Sequence, residues 1–297
     1  MGDSLNFISK YKVASSFQGD YSSLLDNFET GPGINPAFRK KEWLSILEEN
    51  KILLREEQSK LYAESKQGVL ILFQSMDGGG KDSAIKHVIG LNPQGVRVNS
   101  FKQPSKQEAL HDFLWRYAKA VPERGMIGIF NRSYYEEVLV VKVHELYKKT
   151  QLKGQLQSEE VFLRRYQHIV NFENYLTDNG ITIIKIFLNL GSDEQRNRFI
   201  KRIDRSDKNW KFSDADMNER GFWSKYREAF ATAIALTSTE QNPWWVIPAD
   251  NKKYARALIS TIIVETISGL QAEYPKTSHY HTKKLAVLRE KLVKCEI

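Results

Sequence analysis

The chain has 297 residues, of which 41% are hydrophobic and 27% are charged, as is typical of a globular protein with a sizeable buried core. Its single cysteine, Cys295, excludes an internal disulfide and a cysteine metal cluster, and no apolar run approaches the roughly 18 residues that span a bilayer. A formal charge of +8 favours a polyanionic partner, and the alternative is a basic surface that binds nothing.

The N-terminal segment, residues 1–66, is predicted to be an arm followed by helices that pack on the core. Residues 1–12 lack the apolar segment of a signal peptide, which predicts a cytoplasmic protein. Residues 1–35 contain many Gly, Ser and Asn residues and predict an irregular surface arm, whereas residues 37–66 predict a helix. The expected packing residues of this helix are Trp43, Ile46, Ile52 and Leu53.

The rest of the chain alternates apolar runs with helical patterns. The predicted strands are 69–73, 96–101, 126–130, 181–190 and 244–249. The predicted helices are 105–120, 133–148, 158–179, 192–204, 213–237 and 251–272, besides one after the first strand. This alternation predicts an α/β fold with a parallel five-stranded sheet and helices on both faces. It gives a main domain of residues 67–274 and a basic, loosely held tail of residues 275–297.

A glycine-rich turn follows the first buried strand. It reads FQSMDGGGKDS over residues 73–83 and precedes a helix, which is the setting of a phosphate-binding loop. Gly78, Gly79 and Gly80 allow backbone N–H groups to converge on phosphate oxygens, and the helix N-terminus adds positive potential. Lys81 supplies a cation that can follow a phosphoryl group. The alternative interpretation is a strand-to-helix turn without a ligand.

The turn departs from the pattern GxxxxGK[ST] at two positions. Ser75 replaces the first glycine, and a serine keeps the turn there if its φ is negative. Asp82 replaces the Ser or Thr that normally binds magnesium. Because a carboxylate at position 82 would repel a nucleoside triphosphate held in the standard way, magnesium must be bound differently. Asp77, inside the loop, is the natural candidate.

A second strand-to-helix junction reads IGIFNRSYYEE. The carboxyl ends of parallel strands line one crevice, so we expect Arg132 to point at the same pocket as Lys81. Glu136 and Glu137 fall in the first helical turn, where the helix dipole favours carboxylates. With α-helical spacing, Glu137 shares the face of Ser133 and Glu136 points about 100° away. This spacing favours Glu137 as the functional carboxylate.

At these motifs the chain resembles the polyphosphate kinase 2 family. The matching stretches are MDGGGKDSAIKHV, FKQPSKQEALHDFLWR, GIFNRSYYEEVLVVKVH, DRSDKNWKFSDADMNER and TSTEQNPWWVIPADNKKYAR, within residues 69–256. The elements FNRSYYE and KNWKFS are much more specific than the glycine turn alone. The resemblance implies a P-loop, nucleotide-kinase-like three-layer αβα sandwich whose helical lid spans residues 196–222. It also implies transfer of phosphate between polyphosphate and nucleoside mono- or diphosphates with Mg²⁺ or Mn²⁺ as cofactor.

The family's loop aspartate, loop lysine and second-motif arginine fall on Asp77, Lys81 and Arg132 of this chain. Many members have Asp before that arginine, whereas this chain has Asn131, as in the class III subgroup that accepts both AMP and ADP. This departure from a two-aspartate site leads to a predicted metal site of Asp77, Asn131 through its carbonyl, and Glu137 for the missing charge. The predicted catalytic residues are Asp77, Lys81, Arg132 and Glu137.

Four basic residues at helical spacing i, i+3, i+4 and i+7 follow the fourth strand and share one face. The resemblance makes this segment the lid that binds phosphates; a solvated basic face is the alternative. Lys86 either extends the phosphate track or pairs with Asp82. The predicted polyphosphate-binding residues are Gly78, Gly79, Gly80, Lys81, Lys86, Arg198, Lys201, Arg202, Arg205 and Lys208.

The resemblance places the base and ribose beside residues 101–116. Phe101 suits stacking on a base, although an aromatic residue at a strand end is also typical of a core. The predicted nucleotide-binding residues are Asp82, Phe101, Pro104, Arg116, Asn131 and Arg132.

The predicted function is a reversible, magnesium-dependent polyphosphate kinase that converts AMP and ADP into ADP and ATP. Guanine nucleotides are further expected substrates, and a dimer or tetramer is expected, with no nucleic acid or membrane as partner. The first alternative is an ATP-dependent nucleoside or nucleotide kinase of the P-loop class. The second is a nucleic-acid-binding protein, which predicts aromatic residues interleaved with the basic ones. Phe199, Trp210 and Phe212 are better placed for packing than for that role.

Overall fold

A parallel five-stranded sheet forms the centre of the protein. The computed structural model describes residues 8–15, 17, 19–34, 36–149 and 160–295. The strands lie in the order β2-β3-β1-β4-β5, and each pairs with its neighbour in parallel. Their bounds are β1 Gly68–Ser75, β2 Val96–Ser100, β3 Ile127–Asn131, β4 Ile181–Asn189 and β5 Trp244–Pro248. All five predicted strands and their parallel arrangement are confirmed.

Helices cover both faces of this sheet. Those described are α1 Trp43–Glu64, α2 Lys81–Val88, α3 Trp115–Ala118, α4 Val140–Val143, α5 Glu160–Asp178, α6 Ser192–Ile203, α7 Asp214–Gly221, α8 Trp223–Thr237, α9 Lys252–Ser268 and α10 His279–Val293. Because side chains alternate along a strand, Ile71 of β1 packs in a cluster with α1, α2 and α9, whereas Leu72 packs with α5 and α8. The predicted α/β three-layer sandwich is therefore confirmed.

Helix α1 packs against α9, and its predicted contact residues are only partly right. Trp43 is buried, and Ile46 packs against the core at its margin. Ile52 and Leu53 were expected in the interface, but they are 66% and 41% exposed. The buried face instead carries residues seven positions apart, which α-helical geometry places nearly in line. They are Leu47, Leu54 and Leu61.

Several predicted helices are shorter or broken. Over 105–120 the chain forms only a 3₁₀ turn, Glu108–Leu110, and the single turn α3. Between them, Asp112 accepts a hydrogen bond from the Leu114 backbone N–H, a local bond that competes with helix formation. The prediction of one helix over 105–120 is therefore wrong.

The predicted helices 133–148 and 213–237 are also interrupted. The first consists of the 3₁₀ turn Tyr134–Glu137, the short α4 and a further 3₁₀ turn, Leu146–Lys149. The second is divided at Phe222 into α7 and α8. Helix α5 is described from Glu160, and the first two residues of its predicted range lie outside the described residues. These interruptions matter because they position the carboxylates of the site.

The predicted closing helix is not the last one. Helix α9 ends at Ser268, and the tail expected to be loosely held contains α10. Side chains of α10 are exposed along its whole length. Within the described part of the chain, no helix has the length and apolar character needed to cross a membrane.

Candidate active site at the carboxyl edge of the sheet

The glycine turn joins β1 to α2. Gly78 and Gly80 have φ angles of 78° and 95°, which residues with a Cβ rarely adopt. Gly80 directly precedes α2, whose first residue is Lys81. Ser75 does not have a positive φ, so the serine keeps the turn as expected. Strand, turn and helix thus have the arrangement in which backbone N–H groups bind phosphate.

Lys81 is half-buried and held against the start of the turn. Its Nζ donates hydrogen bonds to the carbonyl oxygen of Ser75 at 3.1 Å and to the Ser75 hydroxyl at 2.9 Å. Burial lowers the pKa of Lys81, the Arg132 guanidinium lowers it further, and Asp77 opposes both effects. Lys81 and Arg132 therefore act on one another and line one cavity, as the sequence predicts.

Arg132 follows β3 in a strained backbone conformation. Its φ is 63°, in the left-handed region that costs a residue with a side chain about 1 kcal/mol or more. Its backbone N–H donates to the carbonyl oxygen of Phe73, and its guanidinium donates to Asp77 Oδ1 at 3.2 Å. Such strain is concentrated at functional sites, where the surrounding structure maintains it.

Asn131 lies opposite the first turn of α2. Its side-chain amide donates to Asp82 Oδ1 at 2.6 Å, which joins the two positions where the motifs depart from the usual pattern. An aspartate at position 131 would put two carboxylates in this contact, whereas the amide donates a hydrogen bond. The unusual residues at 82 and 131 therefore complement each other.

Glu136, rather than Glu137, faces the site. The turn that carries both is a 3₁₀ helix with about three residues per turn, so the residue three positions after Ser133 shares its side. Glu136 lines a pocket together with Arg132. The Glu137 carboxylate instead lies 3.6 Å from the Arg165 guanidinium, which also donates to the Glu137 carbonyl oxygen at 2.7 Å. The expectation that Glu137 faces the site is therefore wrong.

Burial raises the pKa of Glu136 above its usual range. The Arg132 guanidinium, the Lys81 ammonium group and a hydrogen bond from Gln74 oppose this effect, while the negative charge of Asp77 adds to it. Glu136 is thus a carboxylate held among cations in a partly desolvated place.

Two cavities meet at the site, and they differ in chemistry. The first, the aromatic pocket, has a volume of about 260 Å³ and is lined by Glu136, Glu219, Trp223, Tyr226 and Phe230 among others. The second, the basic groove, has a volume of about 1150 Å³ and contains the glycine turn and the basic residues of the lid. Asp77 and Arg132 are the residues that line both.

The lid arginines have different surroundings. Arg198 is 7% exposed, and its guanidinium donates to four backbone carbonyl oxygens and to the Glu194 carboxylate. The four carbonyl groups belong to Gly78, Gly79, Ala249 and Asp250. All five of its N–H donors are used, so Arg198 braces the glycine turn and is not available to hold a phosphate as predicted.

The other predicted lid cations remain at the groove. Arg202 pairs with Asp216 of α7 at 3.3 Å, and Arg205 pairs with Asp207 at 2.8 Å. Lys201 and Lys208 are exposed and line the groove, and so does Lys86. The predicted track of cations is therefore assembled without Arg198 as a phosphate ligand.

Of residues 101–116, which were expected to border the nucleotide, Phe101 and Lys102 line the basic groove. Phe101 packs on Tyr117 and Phe130, with ring centroids 4.5 Å and 4.9 Å apart, although it also borders the basic groove. The Arg116 guanidinium lies over the Phe101 ring and donates to the Lys102 carbonyl oxygen. Neither Arg116 nor Pro104 lines either cavity, so both predicted nucleotide contacts lack support.

The aromatic pocket was missed by sequence reasoning. Trp223, Tyr226 and Phe230 of α8 have the spacing i, i+3 and i+7, which is usually a sign of a helix face packed in a core. Glu219 of α7 shares the pocket with them, and its Oε2 lies within hydrogen-bond distance of His144 Nε2, at 3.1 Å. The signal in the sequence was the carboxylate of Glu219, four residues before the aromatic stripe, because a charged side chain at that spacing is unusual for a helix face packed in a core.

The donor atoms of the site suit a magnesium ion that binds together with phosphate. Among the residues that the structure describes, no three His, Cys, Asp or Glu side chains form a metal-binding group. Mg²⁺ needs no such group, because one or two carboxylates plus substrate phosphate oxygens are its usual ligands in phosphotransferases. Asp77, Asp82 and the carbonyl group of Asn131 supply such donors at the groove.

The parallel sheet, the glycine turn after its central strand and the basic groove beside it define a P-loop fold of the nucleotide-kinase type. The family model described as Polyphosphate kinase 2 matches residues 38–275. A crystal structure of polyphosphate kinase 2 from Arthrobacter aurescens superposes with a TM-score of 0.83 at 36% identity, covering 93% of this chain and 95% of that one. The chain belongs to the polyphosphate kinase 2 family and is a transferase.

Two curated relatives agree with this assignment. An ADP-polyphosphate phosphotransferase of Rhodopseudomonas palustris is 45% identical over 265 residues, which are 88% of this chain and 92% of the relative. An AMP/ADP-polyphosphate phosphotransferase of Meiothermus ruber is 46% identical over 224 residues, which are 75% of this chain and 80% of the relative.

Proposed function

We propose that this enzyme transfers the terminal phosphoryl group of polyphosphate in the basic groove to AMP or ADP in the aromatic pocket. The observation that carries the proposal is the position of Asp77 and Arg132, which line both cavities. A phosphoryl group moving from one cavity to the other would pass these two residues. The names of the two relatives support polyphosphate as donor and AMP and ADP as acceptors.

The basic groove suits a long inorganic polyanion. Ten lysine and arginine residues line it, against three aspartates. Phe101 is its aromatic contribution, and that ring is already packed on Tyr117 and Phe130. Single-stranded nucleic acids bind on stacking aromatic residues as well as on cations, so this lining favours polyphosphate over nucleic acid.

The aromatic pocket suits a nucleoside. Trp223, Tyr226 and Phe230 offer apolar ring surfaces for a base, and stacking of this kind is tolerant of base identity. Guanine nucleotides are therefore proposed as further acceptors. Glu219 offers a carboxylate of the kind that accepts hydrogen bonds from ribose hydroxyl groups in other nucleotide sites.

In the proposed reaction, a terminal phosphate oxygen of the acceptor attacks the last phosphorus atom of polyphosphate. A new P–O bond to the nucleotide forms as the P–O bond to the shortened polyphosphate breaks, and the leaving chain keeps the electron pair. Lys81 and Arg132 neutralise charge on the transferred group, and the backbone of the turn aligns it. The acceptor phosphate is largely ionised at neutral pH, since its second pKa is about 6, so no strong general base is required.

Asp77, Asp82 and Asn131 are proposed to hold Mg²⁺ or Mn²⁺, with Glu136 rather than Glu137 as the neighbouring carboxylate. Such an ion would supply positive charge that stabilises the phosphate oxygens during transfer. The same groups serve the reverse reaction, so we propose that transfer is reversible. The expected dimer or tetramer stays a prediction.

A test of donor choice decides between this proposal and an ATP-dependent kinase. With long-chain polyphosphate and Mg²⁺, the enzyme is expected to convert ADP into ATP and AMP into ADP. Replacing polyphosphate by ATP, with AMP as acceptor, is expected to give far slower transfer. If ATP alone served as donor, the proposal would be wrong. A matched variant, Lys201→Ala/Lys208→Ala, is expected to raise KM for polyphosphate several-fold while leaving KM for ADP unchanged.

A further inference from the structure

A buried polar network lies beneath the turn that carries Arg132. It consists of Tyr134, Tyr135, Glu173, Lys185 and Thr237, and it connects that turn to α5, β4 and α8. Lys185 and Glu173 are 0% and 1% exposed. None of these five side chains lines either cavity, so the proposed reaction does not use them directly.

The Glu173 carboxylate is the centre of the network. Its Oε1 accepts hydrogen bonds from the hydroxyl groups of Tyr134 at 2.9 Å and Tyr135 at 2.8 Å. Its Oε2 accepts from Lys185 Nζ at 2.6 Å, and Lys185 also donates to the Thr237 carbonyl oxygen at 2.7 Å. Burial raises the pKa of both tyrosines well above its usual value, so both hydroxyl groups stay protonated and donate.

The network holds the turn between two residues of the site. Tyr134 and Tyr135 follow the strained Arg132 and precede Glu136 directly in the chain. A residue in the left-handed region stays there only when its neighbours over-determine its position. Two tyrosine side chains fixed by one buried carboxylate supply such a constraint.

The same network reaches the helix that lines the aromatic pocket. Thr237 is the last residue of α8, the helix that contributes Trp223 and Tyr226 to the pocket. Its Oγ1 lies 3.0 Å from the Tyr135 hydroxyl and accepts from Trp244 Nε1 at 2.9 Å. A shift of Glu173 would therefore act both on the turn that carries Arg132 and on the C-terminal end of α8.

We propose that Glu173 is a positioning residue for phosphoryl transfer, acting through the hydroxyl groups of Tyr134 and Tyr135 on Arg132 and Glu136, while Lys185 balances its charge. The inference rests on the function proposed above for Arg132. The opposing view is that the network only braces the core. A buried ion pair is weak evidence for stability, because an apolar pair of similar volume often serves as well, so the two views predict different kinetics.

Two double variants separate these views. Glu173→Gln/Lys185→Met removes both charges but keeps an oxygen acceptor for the two tyrosine hydroxyl groups. Glu173→Leu/Lys185→Met removes both charges and the acceptor. With the acceptor present, kcat is expected to stay within about threefold of the parent; without it, kcat is expected to fall roughly ten- to a hundredfold, because small displacements of catalytic groups are costly.

The KM for polyphosphate is expected to change little in either double variant, since Lys201 and Lys208 lie outside the turn. Rates are compared well below the melting temperature of each variant. Equal kcat values in the two variants, whether high or low, would overturn the proposal. Equally high values would mean that the network only braces the core. Equally low values would mean that its charges matter, rather than the oxygen atom that accepts from the tyrosine hydroxyl groups.

If a double variant does not fold, tyrosine variants carry the test. Tyr134→Phe/Tyr135→Phe removes the two hydroxyl groups, and Tyr166→Phe is the matched control, since the buried Tyr166 hydroxyl has no hydrogen-bond partner among the residues that the structure describes. A tenfold or larger loss of kcat in the first, with none in the control, supports positioning. Equal rates in both contradict it.

Failure of the proposed function has a separate signature. If Arg132→Ala kept full activity, the assignment of Arg132 to the active site would be wrong. If Arg132→Ala were inactive while the network variants kept their rates, only the positioning inference would be wrong.

Discussion

The guanidinium of Arg132 lies 3.2 Å from Asp77 Oδ1, and this contact stands at the junction of the aromatic pocket and the basic groove. One partner belongs to the glycine turn after β1, the other follows β3, and the two strands are neighbours in the sheet. Parallel pairing of Phe73 with Asn131 brings the two loops to the same edge. The sheet register therefore creates the pair on which phosphoryl transfer is expected to depend.

Arg132→Gly is expected to separate activity from stability. Glycine adopts the left-handed region without strain, so the substitution should relieve about 1 kcal/mol of backbone strain and leave the free energy of unfolding equal or higher. Activity should fall by about a hundredfold or more, because the variant lacks the positive charge that stabilises the transferred phosphoryl group. Urea unfolding and steady-state rates measure the two quantities.

The matched control for this variant is Gln271→Gly. Gln271 has a φ of 53° and is exposed near the end of α9, away from both cavities. Its replacement should stabilise the protein to a similar degree and leave the rate unchanged. A large loss of activity in the control, or an unaltered rate in Arg132→Gly, would contradict the argument.

Arg198→Lys is expected to damage the turn itself. An ammonium group cannot replace a planar guanidinium that reaches four carbonyl groups and Glu194, so buried acceptors lose their donors. We expect a loss of about 2–4 kcal/mol in the free energy of unfolding and a lower kcat. Chemical denaturation and initial rates provide the measurement.

Arg196 provides the control on the same helix. It is exposed and forms a salt bridge with Asp193 of the same helix at 3.3 Å. Arg196→Lys should leave kcat unchanged and should alter the free energy of unfolding by no more than about 0.5 kcal/mol. Should Arg198→Lys behave like this control and weaken only polyphosphate binding, Arg198 would be a phosphate ligand after all.

The sequence predicted the sheet better than the site, and the reason is physical. Buried parallel strands appear as continuous apolar runs such as residues 69–73, and the glycine turn is local. The choice between Glu136 and Glu137 depended instead on whether one turn was α-helical or 3₁₀. That choice is decided by tertiary contacts, because the tyrosines of the turn are anchored on Glu173, which lies far away in the chain.

Arg198 illustrates the same limit. Its spacing with the other basic residues of α6 placed it on a cationic face, which is the right face of the helix. Whether it points to solvent or to the turn depends on how closely α6 approaches Gly78, and spacing along a helix contains no such information. The aromatic pocket was missed for a related reason, since an aromatic stripe on α8 suits a core and a nucleoside equally.

The stability of the protein is expected to depend on pH through Glu136. Burial raises the pKa of this carboxyl above its usual value of 4.5, so the folded state binds the proton more tightly than the unfolded chain does. The stabilisation from this group is therefore present below about pH 4.5 and is lost as the pH rises through the raised pKa.

Glu136→Gln removes this titration. The free energy of unfolding of the variant, relative to the parent, should therefore rise between pH 4.5 and neutral pH, as followed by urea unfolding across that range. Glu160→Gln, at the exposed start of α5, is the control, because it replaces a carboxylate outside both cavities. A constant difference between Glu136→Gln and the parent would show that the group does not titrate differently on folding.

Glu219 is expected to select ribose over deoxyribose. Its carboxylate lines the aromatic pocket beside Tyr226. His144 Nε2 lies 3.1 Å from Glu219 Oε2 and 3.1 Å from the Tyr226 hydroxyl, and these contacts fix both side chains. A hydrogen bond from a ribose hydroxyl to a carboxylate contributes about 1.5–3 kcal/mol, so Glu219→Gln should reduce the preference for AMP over 2′-deoxy-AMP by roughly tenfold or more. The measurement is kcat/KM for both nucleotides with polyphosphate as donor.

Glu228→Gln, on the exposed side of α8, should leave that preference unchanged. Because Glu219 lies outside the basic groove, KM for polyphosphate should be unchanged in both variants. An equal loss of activity towards AMP and 2′-deoxy-AMP in Glu219→Gln would mean that the carboxylate holds the lid through His144 and does not contact the sugar. A rise in KM for polyphosphate instead would mean that the two cavities have been assigned to the wrong substrates.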